Sequence, residues 1–297
     1  STPAAPPRGA RKQGPPLALE RVLGITGLHN SALAEDGKGN IAYPAGALVV
    51  VYNIQRNRQV HYFRALHPIS CVAFSEDGSL LAAGERGLPG PGESDPSVLV
   101  WSMATGELLA DLRHHKGGVG AVRFSPDGAQ LASVGFSFDQ SVVLWDWQSG
   151  KPRASGRTAR KAFALAFLAD GSSFVTCGPR HIRFWSAPAS GSSLTVREAS
   201  LEQFRSRVFV DVAAAGDGSG DVLALASDGA LLAVGADGAL DRWTDVAADG
   251  ALALSCSPSL VAAGCADGLV RLFSYALEYV TTLPSPPPLG GANVPRA

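Results

Sequence analysis

The chain has 297 residues, 46% of them hydrophobic, and a formal net charge of −1. That apolar content is ample for a packed core, and the near balance of charge excludes a global field that would draw the molecule onto DNA or an anionic membrane. No apolar run approaches the ~18 residues needed to cross a bilayer, so a soluble chain without membrane contact is expected.

Residues 1–18 are Pro-rich, with a small basic cluster at Arg8, Arg11 and Lys12, and read as a disordered tail without the apolar stretch of a signal peptide. Leu19 to Thr26 is an isolated strand candidate. From Ser31 onward the chain alternates short strands with tight turns. Asn40 to Gly46, Ala47 to Asn53 and Gln59 to Arg64 form the first unit. Ile69 to Ser75, Leu80 to Gly84 and Val98 to Trp101 belong to the second, interrupted by a Gly- and Pro-rich insertion at residues 86–97.

The third unit is the clearest. Val119 to Pro126 alternates with the two-residue period of a strand, and Asp127-Gly128 supplies a pair that tolerates positive φ in a turn. Gln130 to Gly135 returns, and Val142 to Asp146 follows. An outer segment near Lys151 to Ser155 makes four antiparallel strands in about 42 residues, the length of a WD-repeat propeller blade. Phe163 to about Ala199 repeats the pattern. A fifth unit runs from Val208 to Trp243, and a sixth from Ala251 to Leu283 has Phe273 where the others have Trp. The spacing is 44 residues from Trp101 to Trp145, 40 from Trp145 to Trp185, 58 from Trp185 to Trp243 and 30 from Trp243 to Phe273. No segment carries the i, i+3, i+4 apolar pattern of a helical repeat.

The expected fold is therefore all-β, a WD-repeat β-propeller over residues 19–284. Six full blades are visible, and the Leu19 to Thr26 strand would complete a seventh whose inner strands are missing from a chain cut from a longer protein. Residues 285–297 read as a Pro/Gly-rich tail or linker.

Candidate chemistry is sparse. His115, Ser133, Asp139 and Trp145 occupy the repeat positions at which WD blades tie loop to strand, and that explains them better than a hydrolase triad, since no G-x-S-x-G elbow accompanies them. In the second unit Ala83 replaces the Ser, which breaks the same chain. The Asp-Gly pairs at 77, 127, 170, 228, 237 and 267 fall at turns and lack an acidic calcium loop. His114-His115 have no metal-ligand spacing. Cys71, Cys177, Cys256 and Cys265 each lie in an apolar run without a C-x-x-C pair, the pattern of reduced thiols in a cytoplasmic setting. No catalytic residue, metal or cofactor is expected. A basic cluster formed by Arg153, Arg157, Arg160, Lys161, Arg180 and Arg183, with Arg205 and Arg207 further on, is a candidate docking patch for an acidic partner such as a tubulin tail. An RNA partner is disfavoured, because no aromatics interleave with the arginines to stack bases.

LERVLGIT, GNIAYPAGALVVVYN, HHKGGVGAVRFSPDGAQLASVG, RHIRFW, FVDVA, LDRW and GCADGLVRLF occur in one order. Together they resemble the N-terminal propeller of the mitogen-activated protein kinase-binding protein family, which includes a centrosomal, microcephaly-linked WD-repeat paralogue. The YP-x-G and HKG segments are also similar to ciliary WD-repeat proteins of doublet microtubules. The resemblance implies a non-catalytic protein-interaction scaffold. Its implied partners are stress-kinase, centrosomal or ciliary components, possible tubulin contact included, and its implied locations are centrosome, basal body or cilium. It also implies that kinase docking lies outside these residues. The insertion at 86–97 and the Ala/Gly-rich fifth unit depart from the family pattern.

Overall fold

The computed structural model describes residues 19–27, 30–87, 95–136, 139–188 and 190–283. The expected tails at 1–18 and 285–297, and most of the insertion at 86–97, lie outside them. The described strands form six four-stranded antiparallel sheets, each laid down in chain order. Blade one holds β1 (Ala34–Glu35), β2 (Asn40–Ala45), β3 (Leu48–Asn53) and β4 (Arg58–Arg64). Blade two holds β5 (Ile69–Phe74), β6 (Leu80–Glu85), β7 (Ser97–Ser102) and β8 (Leu108–Arg113). Blade three holds β9 (Val119–Phe124), β10 (Leu131–Gly135), β11 (Ser141–Asp146) and β12 (Lys151–Arg157). Blade four holds β13 (Ala164–Phe167), β14 (Ser173–Gly178), β15 (His181–Ser186) and β16 (Thr195–Glu198). Blade five holds β17 (Phe209–Ala214), β18 (Val222–Ala226), β19 (Ala230–Val234) and β20 (Leu240–Asp245). Blade six holds β21 (Ala251–Cys256), β22 (Val261–Cys265), β23 (Val270–Phe273) and β24 (Tyr279–Leu283). Together the blades make a β-propeller.

The core lies between blades, because a sheet set between two neighbours buries apolar residues on both faces. Val143 and Trp145 pack with Cys71, Val98 and Val100 of blade two, while Val142 and Leu144 face Leu165, Phe174 and Trp185 of blade four. First strands pack side by side around the centre, β5 on β9, β9 on β13, β13 on β17 and β17 on β21. The turn at Asp127 shows how such short strands are linked. Ser125 Oγ donates to Asp127 Oδ1 at 2.5 Å, the same oxygen accepts from Ala129 N at 3.0 Å, and Gly128 sits at φ +70°, a conformation that costs Gly no Cβ clash.

Two sequence expectations are corrected. Leu19 to Thr26 forms no strand. It lies extended against blade one, where Gln59 bonds both backbone groups of Val22 at 2.8 Å and Tyr62 donates to the Glu20 carbonyl at 3.0 Å. One backbone bond, from Thr26 N to the Pro44 carbonyl of β2 at 2.7 Å, reaches a strand; side chains of blade one hold Glu20 and Val22, so no ladder forms. Trp243 also differs from the other tryptophans. Trp101, Trp145 and Trp185 sit on third strands, whereas Trp243 is on the outermost β20, is 45% exposed and meets Phe204 edge-on at 5.2 Å. The third-strand position in blade five belongs to Val234, paired with Val222 as Trp145 is with Leu131. Counting from Val234 changes the intervals of 58 and 30 to 49 and 39, which removes the compression and most of the stretch.

The two ends of the array are finished unequally. In blade five every residue of β18 is buried. In blade six β22 alternates buried and half-buried, with Val261, Ala263 and Cys265 turned to blade five. Among the described residues no strand packing comparable to the other junctions joins blade six to blade one. Asn30, in a short 3-10 turn (Asn30–Ala32), donates to the carbonyls of Val210 and Leu252 instead.

Candidate functional site

At the rim of blade three, four elements converge on one buried chain. His115 precedes β9, Ser133 lies in β10, Asp139 is in the turn after β10, and Trp145 is in β11. Trp145 Nε1 donates to Ser133 Oγ at 2.8 Å. Ser133 Oγ lies 2.7 Å from His115 Nε2, and His115 Nδ1 lies 2.7 Å from Asp139 Oδ2. A carboxylate only accepts, so Nδ1 carries the proton and Nε2 accepts from the serine hydroxyl. Ser141 Oγ donates to the same Asp139 oxygen at 2.7 Å. Burial works against the charge of Asp139, but the hydrogen bonds from His115 and Ser141 outweigh it and hold the carboxyl below its ordinary value. His115, Ser133 and Trp145 are wholly buried, so the serine oxygen is committed to the fold and does not face a substrate.

The equivalent rims of the neighbouring blades are built differently. In blade two, Ala83 stands at the Ser133 position, and a residue that sequence reasoning missed supplies the tie. The buried Glu85 carboxylate accepts from the backbone N–H of Leu66, His67 and Ser97 at 2.9–3.0 Å, stapling the start of β7 to the preceding loop. The signal was an acidic residue closing the apolar strand LLAAGE.

In blade four the Trp–hydroxyl bond survives, since Trp185 Nε1 donates to Thr176 Oγ1 at 2.9 Å. Thr176 was also missed, although it has the same spacing from Trp185 as Ser133 from Trp145, counted through the ladder. The turn after β14 shrinks to Pro179-Arg180, which removes any counterpart of Asp139. The buried imidazole comes from His181, which holds the place of Ser141. A Cβ built on Gly178 would sit 2.7 Å from His181 Cε1, as one on Gly135 would sit 2.8 Å from His115 Nδ1. Both blades thus put an imidazole beside the glycine that ends the second strand, from different chain positions.

The six residues of the basic cluster do not form one patch. Arg157, Arg160 and Arg180 are exposed on the rim that carries the loop of His115. Arg153 lies nearer the opposite end of β12 and bonds Gln130 Oε1 at 2.9 Å. Lys161 stacks on the Phe163 ring at 4.8 Å. Arg183 is only 9% exposed and is held by Glu198, so it is removed from the exposed set. Arg205, in the connection from β16 to β17, joins Arg160 and Arg180 around one cleft. Arg207 instead pairs with Asp228 at 2.7 Å.

Near the axis, Arg123 of β9 and Asp211 of β17 line a second cleft. Burial raises the Asp211 carboxyl, against the hydrogen bond from Leu254 N and the charge of Arg123. All four cysteines are free, and burial pushes the Cys71 thiol up to about 12. Among the described residues no three His, Cys, Asp or Glu side chains gather as metal ligands, and no helix is long and apolar enough to cross a membrane.

Comparison with known proteins places these features. The WD domain, G-beta repeat, matches residues 58–102 and 106–146. The chain is 35% identical over 285 residues to WD repeat-containing protein 62 of Mus musculus, which covers 92% of this chain and 18% of that protein. It is 36% identical over 291 residues to mitogen-activated protein kinase-binding protein 1 of Homo sapiens, covering 92% of this chain and 19% of that protein. Centriole proteome protein 16 of Chlamydomonas reinhardtii is 33% identical over 187 residues, 50% of this chain and 9% of that protein. The chain thus spans less than a fifth of the length of these relatives.

Proposed function

Because this chain belongs to the WD-repeat proteins of the group that includes WD repeat-containing protein 62 and mitogen-activated protein kinase-binding protein 1, we propose that it is a non-catalytic scaffold that docks other proteins on the loops of a rigid disc. The observation that carries this reading is the commitment of Ser133, His115 and Asp139 to one buried chain, which leaves the blade rigid and its hydroxyl unavailable as a nucleophile. The docking surface is the rim of blades three and four, where Arg157, Arg160, Arg180 and Arg205 are exposed. Its partner is an acidic segment, of a scaffold protein or a tubulin tail, within a stress-kinase, centrosomal or ciliary assembly. The names of the relatives support that setting, and the site of action is the cytoskeleton at the centrosome, basal body or cilium.

Proximity labelling with this chain, in cells with and without cilia, tests the reading. Enrichment of centrosomal or ciliary proteins that is lost on Arg157→Glu with Arg160→Glu is expected. A labelling profile indifferent to charge reversal would overturn the docking surface, and recovery of RNA in place of protein, lost steeply with salt, would overturn the class.

A further inference from the structure

The rim of blade four holds a cleft of about 320 Å³, walled by Arg160, Arg180, His181, Glu198, Ser200 and Arg205. Three exposed arginines, Arg160, Arg180 and Arg205, line it and make no ion pair among the described residues, although Arg160 Nη1 donates to the Arg180 carbonyl at 3.3 Å. Among the described residues the one carboxylate in the wall, Glu198, is already engaged. Its Oε1 accepts from Arg183 Nε at 2.9 Å and from Nη2 of the same residue. The cleft is therefore a concentration of uncompensated positive charge.

His181 supplies the second observation. It is 1% exposed, and its Nδ1 lies 3.2 Å from the Pro179 carbonyl. A carbonyl only accepts, so Nδ1 carries the proton and Nε2 presents a lone pair. Among the described residues that buried Nε2 has no hydrogen-bond partner. A group that completes the site must bring negative charge for the arginines and a proton for Nε2. A carboxylate brings only charge at neutral pH, and a phosphodiester of RNA has no proton to share. A phosphate monoester has both, since its second pKa is about 6.

We propose that this cleft recognises a phosphate monoester on a phosphorylated segment of a partner protein, with Arg160, Arg180 and Arg205 binding its oxygens and His181 Nε2 sharing its proton. The assignment rests on the docking reading above and names its ligand chemistry. A protein-borne phosphate is favoured over a nucleotide because, among the described residues, no Phe, Tyr or Trp side chain lines the cleft to take a base. The groups facing His181 fix the pH response. Burial most of all, then Arg183 and Arg160, disfavour the imidazolium, while the Pro179 carbonyl and Glu198 favour it. The free imidazole is held neutral, and binding a dianion takes up one proton.

The test is a nuclear magnetic resonance titration of the intact chain with N-acetyl-phosphoserine amide, N-acetyl-glutamate amide, dimethyl phosphate and adenosine monophosphate. Phosphoserine is expected to bind about tenfold tighter than glutamate or the diester, to move the His181 ring nitrogens toward the protonated pattern, and to bind more tightly at pH 6 than at pH 8. Arg160→Gln with Arg205→Gln should weaken it about tenfold without lowering the melting temperature, which keeps the proposal testable should a His181 variant fail to fold. Equal binding of glutamate or dimethyl phosphate, or silent His181 resonances, would overturn the site. Tighter binding of the nucleotide would overturn the protein-borne ligand. Absence of phosphoserine binding, in a chain whose proximity labelling still responds to charge at Arg157 and Arg160, would sink this site and leave the docking reading standing.

Discussion

Blades three and four share a ladder and differ at one end of it. Both bury a third-strand Trp whose indole N–H bonds a hydroxyl on the second strand, and both set an imidazole beside the glycine that closes that strand. In blade three a carboxylate completes the chain, so every polar group is consumed internally. In blade four the shortened turn deletes the carboxylate and brings Arg180, at φ +66°, into its place. The lesson is that the sheet fixes where an imidazole is buried, while the turn decides whether its second nitrogen is used by the fold or left for another molecule.

The sharpest way to break this comparison is to remove the anchors both blades share. Trp145→Ala and Trp185→Ala should each destabilise by about 3–5 kcal/mol in denaturant unfolding, because both remove large, fully buried rings. A much smaller loss at either would separate the two scaffolds. Next come the groups they do not share. Asp139→Ala removes the carboxylate that both His115 Nδ1 and Ser141 Oγ bond, leaving the two 2.8 Å apart with only each other, and should cost about 1–3 kcal/mol, whereas Arg180→Gly, which relieves a positive φ, should cost nothing measurable.

The comparison sharpens further with pH. Asp139 has a lowered folded value, so its contribution is complete above the ordinary carboxyl range near 4 and fades only as pH falls below it. His181 is a base with a lowered folded value. Below about pH 6.5 the unfolded chain takes up its proton first, and stability declines from there as pH drops. Wild type should therefore lose stability between about pH 6.5 and 5 relative to His181→Gln, while Asp139→Asn should track wild type in that window. The smallest expected effect is Arg205→Glu, an exposed change that should stay within about 0.5 kcal/mol in a thermal melt.

Much of the architecture was legible because local signals agreed. Alternation, Asp-Gly turns and the regular spacing of Trp101, Trp145 and Trp185 each pointed to the same blade, and the positions of His115, Ser133 and Asp139 followed from that period. Trp243 misled for a physical reason: an exposed aromatic on an outer strand has the same letter as a buried one on a third strand. Leu19 to Thr26 has strand composition, but pairing depends on an available edge rather than on composition. Glu85 closes an apolar strand and His181 sits within the basic run, but the role of each depends on which loops meet above it, and the local sequence does not give that. The arginines were visible as a run, yet their division into exposed, stacked and paired members depends on neighbours distant in sequence, such as Glu198 for Arg183.

The half-covered β22 has a consequence for how the disc comes apart. A strand clasped on both sides can leave only when its neighbours loosen, whereas one clasped on a single side can peel away alone. Among the described residues, blade six is therefore the one expected to open first in this chain. Amide protons of β22 and β23 should exchange with deuterium sooner than those of β10 and β11, so that the propeller frays from one lip inward rather than melting everywhere at once.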